Sequence, residues 1–239
     1  MPLATPMELE ELVDKSSGKE IVDPPQLVGP FEKLTKRYEN HLNLKDQESF
    51  GTMRDVLTSL EINTFLQTTI HYEQHHNYSD ATGFFISRLI HNSYNAGHTN
   101  FRLDLTNFKP IHRVGYAIKS DLKNPCIIHV AGTVGSNFGA HSENTVFTAA
   151  GAGNFCGYNC KNSVFTIGTA GDFLAVDSTD SIFTIREGTL LYGFNNKQCT
   201  FKTTDVVQLK RFEKYYYFNE QGHRLFFIHP DGSEEEVSL

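Results

Sequence analysis

The sequence lacks both a long apolar run and an excess of basic residues. No stretch reaches the roughly 18 consecutive apolar residues of a membrane-spanning helix, so we expect no membrane association. The 239-residue chain carries 21 Lys and Arg side chains against 28 Asp and Glu, a net charge of −7. General nucleic-acid binders need a basic face to displace counterions, so nucleic acid is an unexpected partner.

Cysteine is scarce as well, and it never occurs as the C-x-x-C pair that is typical of metal and redox sites. The acidic N-terminal residues do not have the layout of a signal peptide. We therefore expect reduced, buried thiols in a cytoplasmic protein, and no resident cofactor. The cysteines are Cys126, Cys156, Cys160 and Cys199.

Periodicity divides the chain into a helical first half and a strand-rich second half. Apolar residues recur at helical spacing over residues 31–42 and 46–75, and Asp80 is placed to cap a helix that ends before Gly97. Closely spaced prolines predict a linker over residues 22–30, after a short acidic helix at 6–15. The predicted regions are an arm (1–30), a helical region (31–98), a parallel β-helix (99–205) and a capping hairpin (206–239).

A repeat with a period of 18 residues dominates residues 126–203. The segment TVFT at 145–148 recurs as SVFT at 163–166 and as SIFT at 181–184. This period is too short for a repeat that contains a helix, but it suits one coil of three short strands. We therefore predict a short, single-stranded parallel β-helix with 18-residue rungs, and we favour a right-handed coil. A left-handed hexapeptide coil stays open, because 18 is three times six.

Equivalent residues of successive coils should stack at the strand spacing of about 4.8 Å. The predicted columns are an internal aromatic ladder and a polar column at a bend, where side-chain amides can tie successive coils together. These columns are Phe147, Phe165 and Phe183, and Asn144, Asn162 and Asp180.

Both ends and one outer face of such a coil need cover. Val146, Val164 and Ile182 should face outward, and we expect the N-terminal helices to lie across them. Residues 214–218 and 224–228 predict a C-terminal hairpin, followed by an acidic edge strand near residues 234–237. The predicted class is α+β, with helices packed on a β-helix that the hairpin closes.

Three glycine-rich segments resemble a known family. Residues 168–175 (GTAGDFLA), 132–139 (GTVGSNFG) and 153–157 (GNFCG) are similar to the repeat of the glycine-rich β-helix domain. That domain occurs at the C terminus of the glutamate synthase large subunit and in one of the subunits of formylmethanofuran dehydrogenase. The resemblance covers about a third of the chain. It implies a structural domain that packs against other domains or subunits, and it implies no catalytic residues.

A histidine cluster is the best candidate for a metal site. On a helix, His71 and His75 would share a face at the i, i+4 spacing used for chelation. A third ligand would come from the fold, with His91 and His98 as candidates. The alternative is a polar helix end, where histidines interact favourably with the helix dipole.

Three functional hypotheses follow from these patterns. The first is a non-catalytic scaffold or protein-interaction protein with a protein partner or a second copy, because the repeat columns are apolar, glycine or amide. The second is a metal-binding protein or metal-dependent enzyme that uses His71 and His75. The third is a carbohydrate-active β-helix protein, for which Asp172, Asp177 and Asp180 are the plausible acidic group.

Overall fold

Helices and one eight-stranded sheet form the structure, a computed structural model that describes residues 31–44, 53–188, 195–215 and 222–237. The predicted helix at 6–15 and linker at 22–30 lie outside the described residues. Within the described ranges, no helix is both long enough and apolar enough to cross a bilayer.

Within the described residues three helices precede the sheet, and the expectation of a helix over 46–75 is wrong in extent. Residues 53–58 are irregular, and the helix begins only after Thr58, which forms a capping box with Glu61. Asn63 lies inside this helix. The helices are α1 (Phe31–Leu42), α2 (Ser59–Thr68) and α3 (Tyr78–Asn95), with a 3₁₀ turn at Thr69–Tyr72.

The strands follow one another in the sheet in chain order. All neighbours are parallel except the last pair, so the chain coils as a parallel β-solenoid of about four turns and ends in an antiparallel hairpin. The α+β class is confirmed. The strands are β1 (Asn100–Asp104), β2 (Cys126–Val134), β3 (Thr145–Ala152), β4 (Val164–Ala170), β5 (Ile182–Gly188), β6 (Thr200–Thr203), β7 (Arg224–Ile228) and β8 (Glu234–Glu236).

The predicted aromatic ladder forms the centre of the coil. Phe147 pairs with Phe165, and Phe165 pairs with Phe183, with ring centroids 4.8 and 4.9 Å apart. All three side chains are fully buried. Gly139 and Gly157 have positive φ, and a Cβ at either would lie 2.6 or 2.5 Å from a ring of this ladder. Glycine is therefore required there for two independent reasons.

The polar column at the bend has a backbone cause. Asn144, Asn162 and Asp180 have φ of 56°, 47° and 51°, in the left-handed region that Asn and Asp tolerate best. Only Asn144 forms the expected tie within the described part of the chain, donating from its amide to the Ser120 carbonyl at 2.7 Å. The column therefore reflects backbone conformation more than an amide ladder.

A second, buried column of hydroxyl groups links the coils. Ser163 Oγ accepts a hydrogen bond from Thr145 N at 3.3 Å, and Ser181 Oγ accepts one from Ser163 N at 3.1 Å. Each serine hydroxyl also donates to a carbonyl two residues earlier, at Lys161 or Thr179. Backbone N–H groups inside the coil are thereby satisfied without water.

The helices close the N-terminal end of the coil. Side chains of α2 satisfy the free edge of β1: Ser59 and Asn63 accept hydrogen bonds from Arg102 N and Asp104 N, and Gln67 donates to the Asp104 carbonyl. An uncovered strand edge would otherwise pair with another chain.

The described helices therefore do not provide the expected cover over the outer aliphatic stripe. Val146, Val164 and Ile182 lie on β3, β4 and β5 and stay half-buried, whereas the helix that contacts the start of the sheet does so at β1. An edge strand with unpaired backbone groups has a stronger need for cover than three half-buried aliphatic side chains.

The C-terminal closure differs in detail from the expectation. Residues 206–215 form a helix, α4 (Val206–Tyr215), so the hairpin strand expected from Lys214 is wrong at its start, and residues 216–221 lie outside the described part. The hairpin consists of β7 and β8 instead. The acidic strand β8 forms the outer edge, and its glutamates pair with Lys202, Arg224 and His229.

Candidate binding groove

The outer face of the sheet presents three columns of side chains that cross the strands. Residues at alternate positions point outward, and the parallel register aligns them from coil to coil. The middle column carries an arginine, a histidine and a series of threonines. It comprises Arg102, His129, Thr148, Thr166, Thr184 and Lys202.

An open groove of about 670 Å³ runs over this face from β1 to β5. Its floor is low because alanine and glycine stand where larger side chains would fill it. At Gly168 the fit is close, because an added Cβ would collide with the Ala150 carbonyl oxygen of the preceding coil. The lining residues that face outward are Arg102, His129, Ala131, Thr148, Ala150, Thr166, Gly168 and Arg186.

The charged side chains that line the groove are cationic. Arg102 and Arg186 are exposed and stand four strand positions apart, a separation of roughly 19 Å at the usual strand spacing. Neither forms an ion pair with another described residue. Between them, His129 Nδ1 is hydrogen-bonded to Thr148 Oγ1.

Asp104 lies on the same face, two residues after Arg102. Its carboxylate accepts hydrogen bonds from Thr106 N at 3.0 Å and from Thr106 Oγ1 at 2.6 Å. These bonds hold the carboxylate toward its own loop, so the groove keeps a net positive charge.

The groove does not have the groups that hydrolyse a glycosidic bond. That reaction needs two carboxyl groups on either side of the bond, and no carboxylate is among the described residues that line the groove. Asp172, Asp177 and Asp180 lie on the bends in three different columns, next to Asn154, Asn195 and Asn162. The arrangement suits binding of an anion better than acid–base chemistry.

The histidine cluster does not have the geometry assumed for it. His71 lies in the 3₁₀ turn and His75 in the turn after it, so they do not share one face of an α-helix. His75 stacks on His76 with ring centroids 4.5 Å apart. Over the described ranges, no three His, Cys, Asp or Glu side chains form a group that could hold a metal ion. Metal binding by His71 and His75 stays a prediction.

The thiols are poor nucleophiles in the folded protein. All four cysteines are buried and free of disulfides. Burial raises the pKa of Cys126 and of Cys199 to about 12, and that of Cys160 to about 11. The reactive thiolate form is therefore absent near neutral pH.

A strip of aromatic side chains on a bend is the second notable surface. Phe155 and Phe173 stack with centroids 4.9 Å apart, and Phe155 is 37% exposed. Both have positive φ, which is uncommon for bulky residues. The strip continues by edge contacts from Tyr158 to His141 and Tyr116. Because the stacked rings face each other, their edges rather than their faces point outward.

Comparison with known proteins adds no relative: no family model, no curated protein and no solved structure matches the chain. The function is therefore inferred from the geometry of the described residues. The sequence-based interpretation missed the groove. The sequence signal for the groove was the threonine at the end of each TVFT-type repeat. Side chains alternate along a strand, so this threonine lies outside the coil.

Proposed function

We propose that this protein is a non-catalytic β-solenoid scaffold that binds an extended acidic polypeptide in the outer-face groove. The observation that carries the proposal is the position of Arg102 and Arg186 at the two ends of a groove with a floor of small residues. Guanidinium groups bind carboxylates through paired hydrogen bonds, which makes arginine well suited to acidic side chains.

The size of the groove supports an extended segment. A separation of roughly 19 Å between the two arginines corresponds to about six residues of extended chain. The Thr148 and Thr166 hydroxyls along the floor can donate or accept hydrogen bonds to a peptide backbone. A folded partner would also need a matching ridge, whereas an extended chain fits a shallow groove directly.

The chemistry favours a peptide over other polyanions. No Phe, Tyr or Trp ring is among the described lining residues, and the one imidazole, His129, is hydrogen-bonded to Thr148, so the groove offers little stacking surface for nucleic-acid bases. The chain also has a net charge of −7, which opposes the dense charge of nucleic acid. A peptide with a few carboxylates needs only the local cations.

Finer features of the fold belong to the same proposal. We infer 18-residue rungs, supported by the pairing of Phe147 with Phe165 and of Phe165 with Phe183, and we keep the right-handed coil as a proposal. The proposed scaffold role agrees with the resemblance to the glycine-rich β-helix domain. A cytoplasmic location is supported by the four free thiols, because exported proteins usually oxidise such groups.

Titration with a fluorescein-labelled octaglutamate peptide at low salt tests the proposal. Fluorescence anisotropy should show saturable binding to the full chain, and we expect Arg102→Gln/Arg186→Gln to weaken it at least about tenfold through loss of two charged contacts. The matched control is Lys119→Gln/Lys197→Gln, which removes two exposed cations from a bend and should change the affinity less than about twofold.

Two results would overturn the proposal. One is equal weakening by the arginine and lysine pairs, which would make the binding a general charge effect. The other is tighter, arginine-dependent binding of a single-stranded oligonucleotide or of polygalacturonate than of the peptide, which would assign the groove to a different class of polymer.

A further inference from the structure

The negative charge of the chain is concentrated before the first described residue. Residues 1–30 contain six acidic and two basic side chains, a net charge of −4 out of −7 for the whole chain. Four of these acids lie within seven residues, Glu8, Glu10, Glu11 and Asp14. The chain itself thus contains a segment with the chemistry that the groove would select.

Phe31, the first described residue, packs on the helix that caps the β1 end of the groove. The Phe31 ring packs 6.1 Å from that of Phe65 in α2. The same helix forms hydrogen bonds to Arg102 N and to Asp104 at the β1 end of the groove. The described chain therefore begins against the helix that forms these bonds, at the Arg102 end of the groove.

The length of the preceding chain is sufficient. Asp14 is 17 residues before Phe31, a reach of up to about 56 Å when extended. The groove spans roughly 19 Å between its arginines.

We propose that the acidic segment around residues 8–14 occupies the groove of its own chain in an extended conformation, in place of the short helix expected at 6–15 from the sequence, and competes with an external acidic partner. This inference rests on the proposed function, because it needs a groove that binds acidic peptides. A tethered segment acts at a local concentration of about millimolar, so even weak intrinsic affinity holds it in place. The groove would then be autoinhibited, and only a stronger partner or neutralisation of the segment opens it.

The test compares full-length variants in the octaglutamate titration. The first variant carries Glu8→Gln, Glu10→Gln, Glu11→Gln and Asp14→Asn. The matched control carries Glu32→Gln, Asp177→Asn, Asp180→Asn and Glu235→Gln, which gives the same net charge but leaves the segment acidic. We expect the first variant to bind octaglutamate about tenfold tighter than the wild type, because its groove is no longer occupied. The control should differ from the wild type by less than about twofold.

The outcomes separate the two proposals. Equal, arginine-dependent binding by the first variant and the wild type would overturn autoinhibition and leave the binding function intact. No arginine-dependent binding by either chain would overturn the binding function itself. If the difference between the two chains disappears on dilution and native mass spectrometry shows a dimer at higher concentration, the segment occupies the groove of a second copy, which also contradicts the intramolecular assignment.

Discussion

At the scale of single residues, the buried hydroxyl column shows how polar atoms are accommodated inside a narrow coil. Thr145, Ser163 and Ser181 are fully buried, yet each hydroxyl donates to a backbone carbonyl. Ser163 and Ser181 also accept a backbone N–H from the preceding coil. A small hydroxyl residue is therefore required at these positions by hydrogen bonding as well as by volume.

Replacing Ser163 by alanine should remove one of these acceptors. Thr145 N would then be a buried donor without its partner, which costs about 1–3 kcal/mol of unfolding free energy. Urea denaturation measures this change. Thr166→Ala is the control, since that hydroxyl is exposed, and it should cost less than about 0.5 kcal/mol. Equal losses in the two variants would show that the buried hydroxyl makes no special contribution.

His41 should make stability depend on pH. Burial lowers the pKa of His41 from its ordinary 6.5 to about 4, so between these pH values the unfolded chain takes up a proton that the folded chain does not. Above pH 6.5 the His41 ring does not change the free energy of unfolding. Below that pH the free energy of unfolding falls with falling pH, by up to about 3 kcal/mol near pH 4.

Denaturation of the wild type and of His41→Gln from pH 7.5 to 4.5 tests this linkage. The variant should lose less stability over that range than the wild type, whereas His98→Gln, at an exposed position, should follow the wild type. Parallel curves for the wild type and His41→Gln would contradict the assignment of the slope to this buried ring.

At the scale of secondary-structure elements, α2 covers the edge of β1. The sequence pattern predicted the helices α1 and α3 and most of the strands, because apolar periodicity reports which side of an element is buried. It did not predict that α2 would cap the edge of β1. That contact depends on the polar residues Ser59, Asn63 and Gln67, which carry no periodic signal.

Removing one of these edge contacts should open β1 locally. In Asn63→Leu the Asp104 amide loses its acceptor, so hydrogen exchange at that amide should accelerate at least about tenfold. NMR-detected exchange measures it, with Thr64→Ala on the exposed side of the same helix as the control. Unchanged protection at Asp104 would show that α2 does not protect the edge in this way.

The C-terminal end shows a second limit at this scale. The aromatic residues near Lys214 suggested a strand, but the chain forms α4 before it returns to the sheet as β7. Parallel pairing of β7 with β6 extends the coil by one further strand, and the antiparallel β8 then closes it. Local β propensity was overridden by the need to cross to the start of the next parallel strand.

At the scale of the whole molecule, the repeat predicted the coil but not the site. A repeating phenylalanine reports stacking directly, because every copy occupies the same buried position. Arg102 precedes the repeat, Arg186 occupies a position where the other copies have small residues, and 84 residues separate the two arginines along the chain. Only the register of five strands places them on one groove, so no local pattern could have identified the pair.

Amide chemical shifts of the full chain, followed while octaglutamate is added, identify the surface that binds the peptide. The largest shifts should map to the outer face of β1 to β5, at Arg102, His129, Thr148, Thr166 and Arg186, and Arg102→Gln/Arg186→Gln should remove them. Largest shifts on the aromatic strip around Tyr158 and Phe173, or no shift on the sheet at a saturating peptide concentration, would contradict peptide binding in the groove.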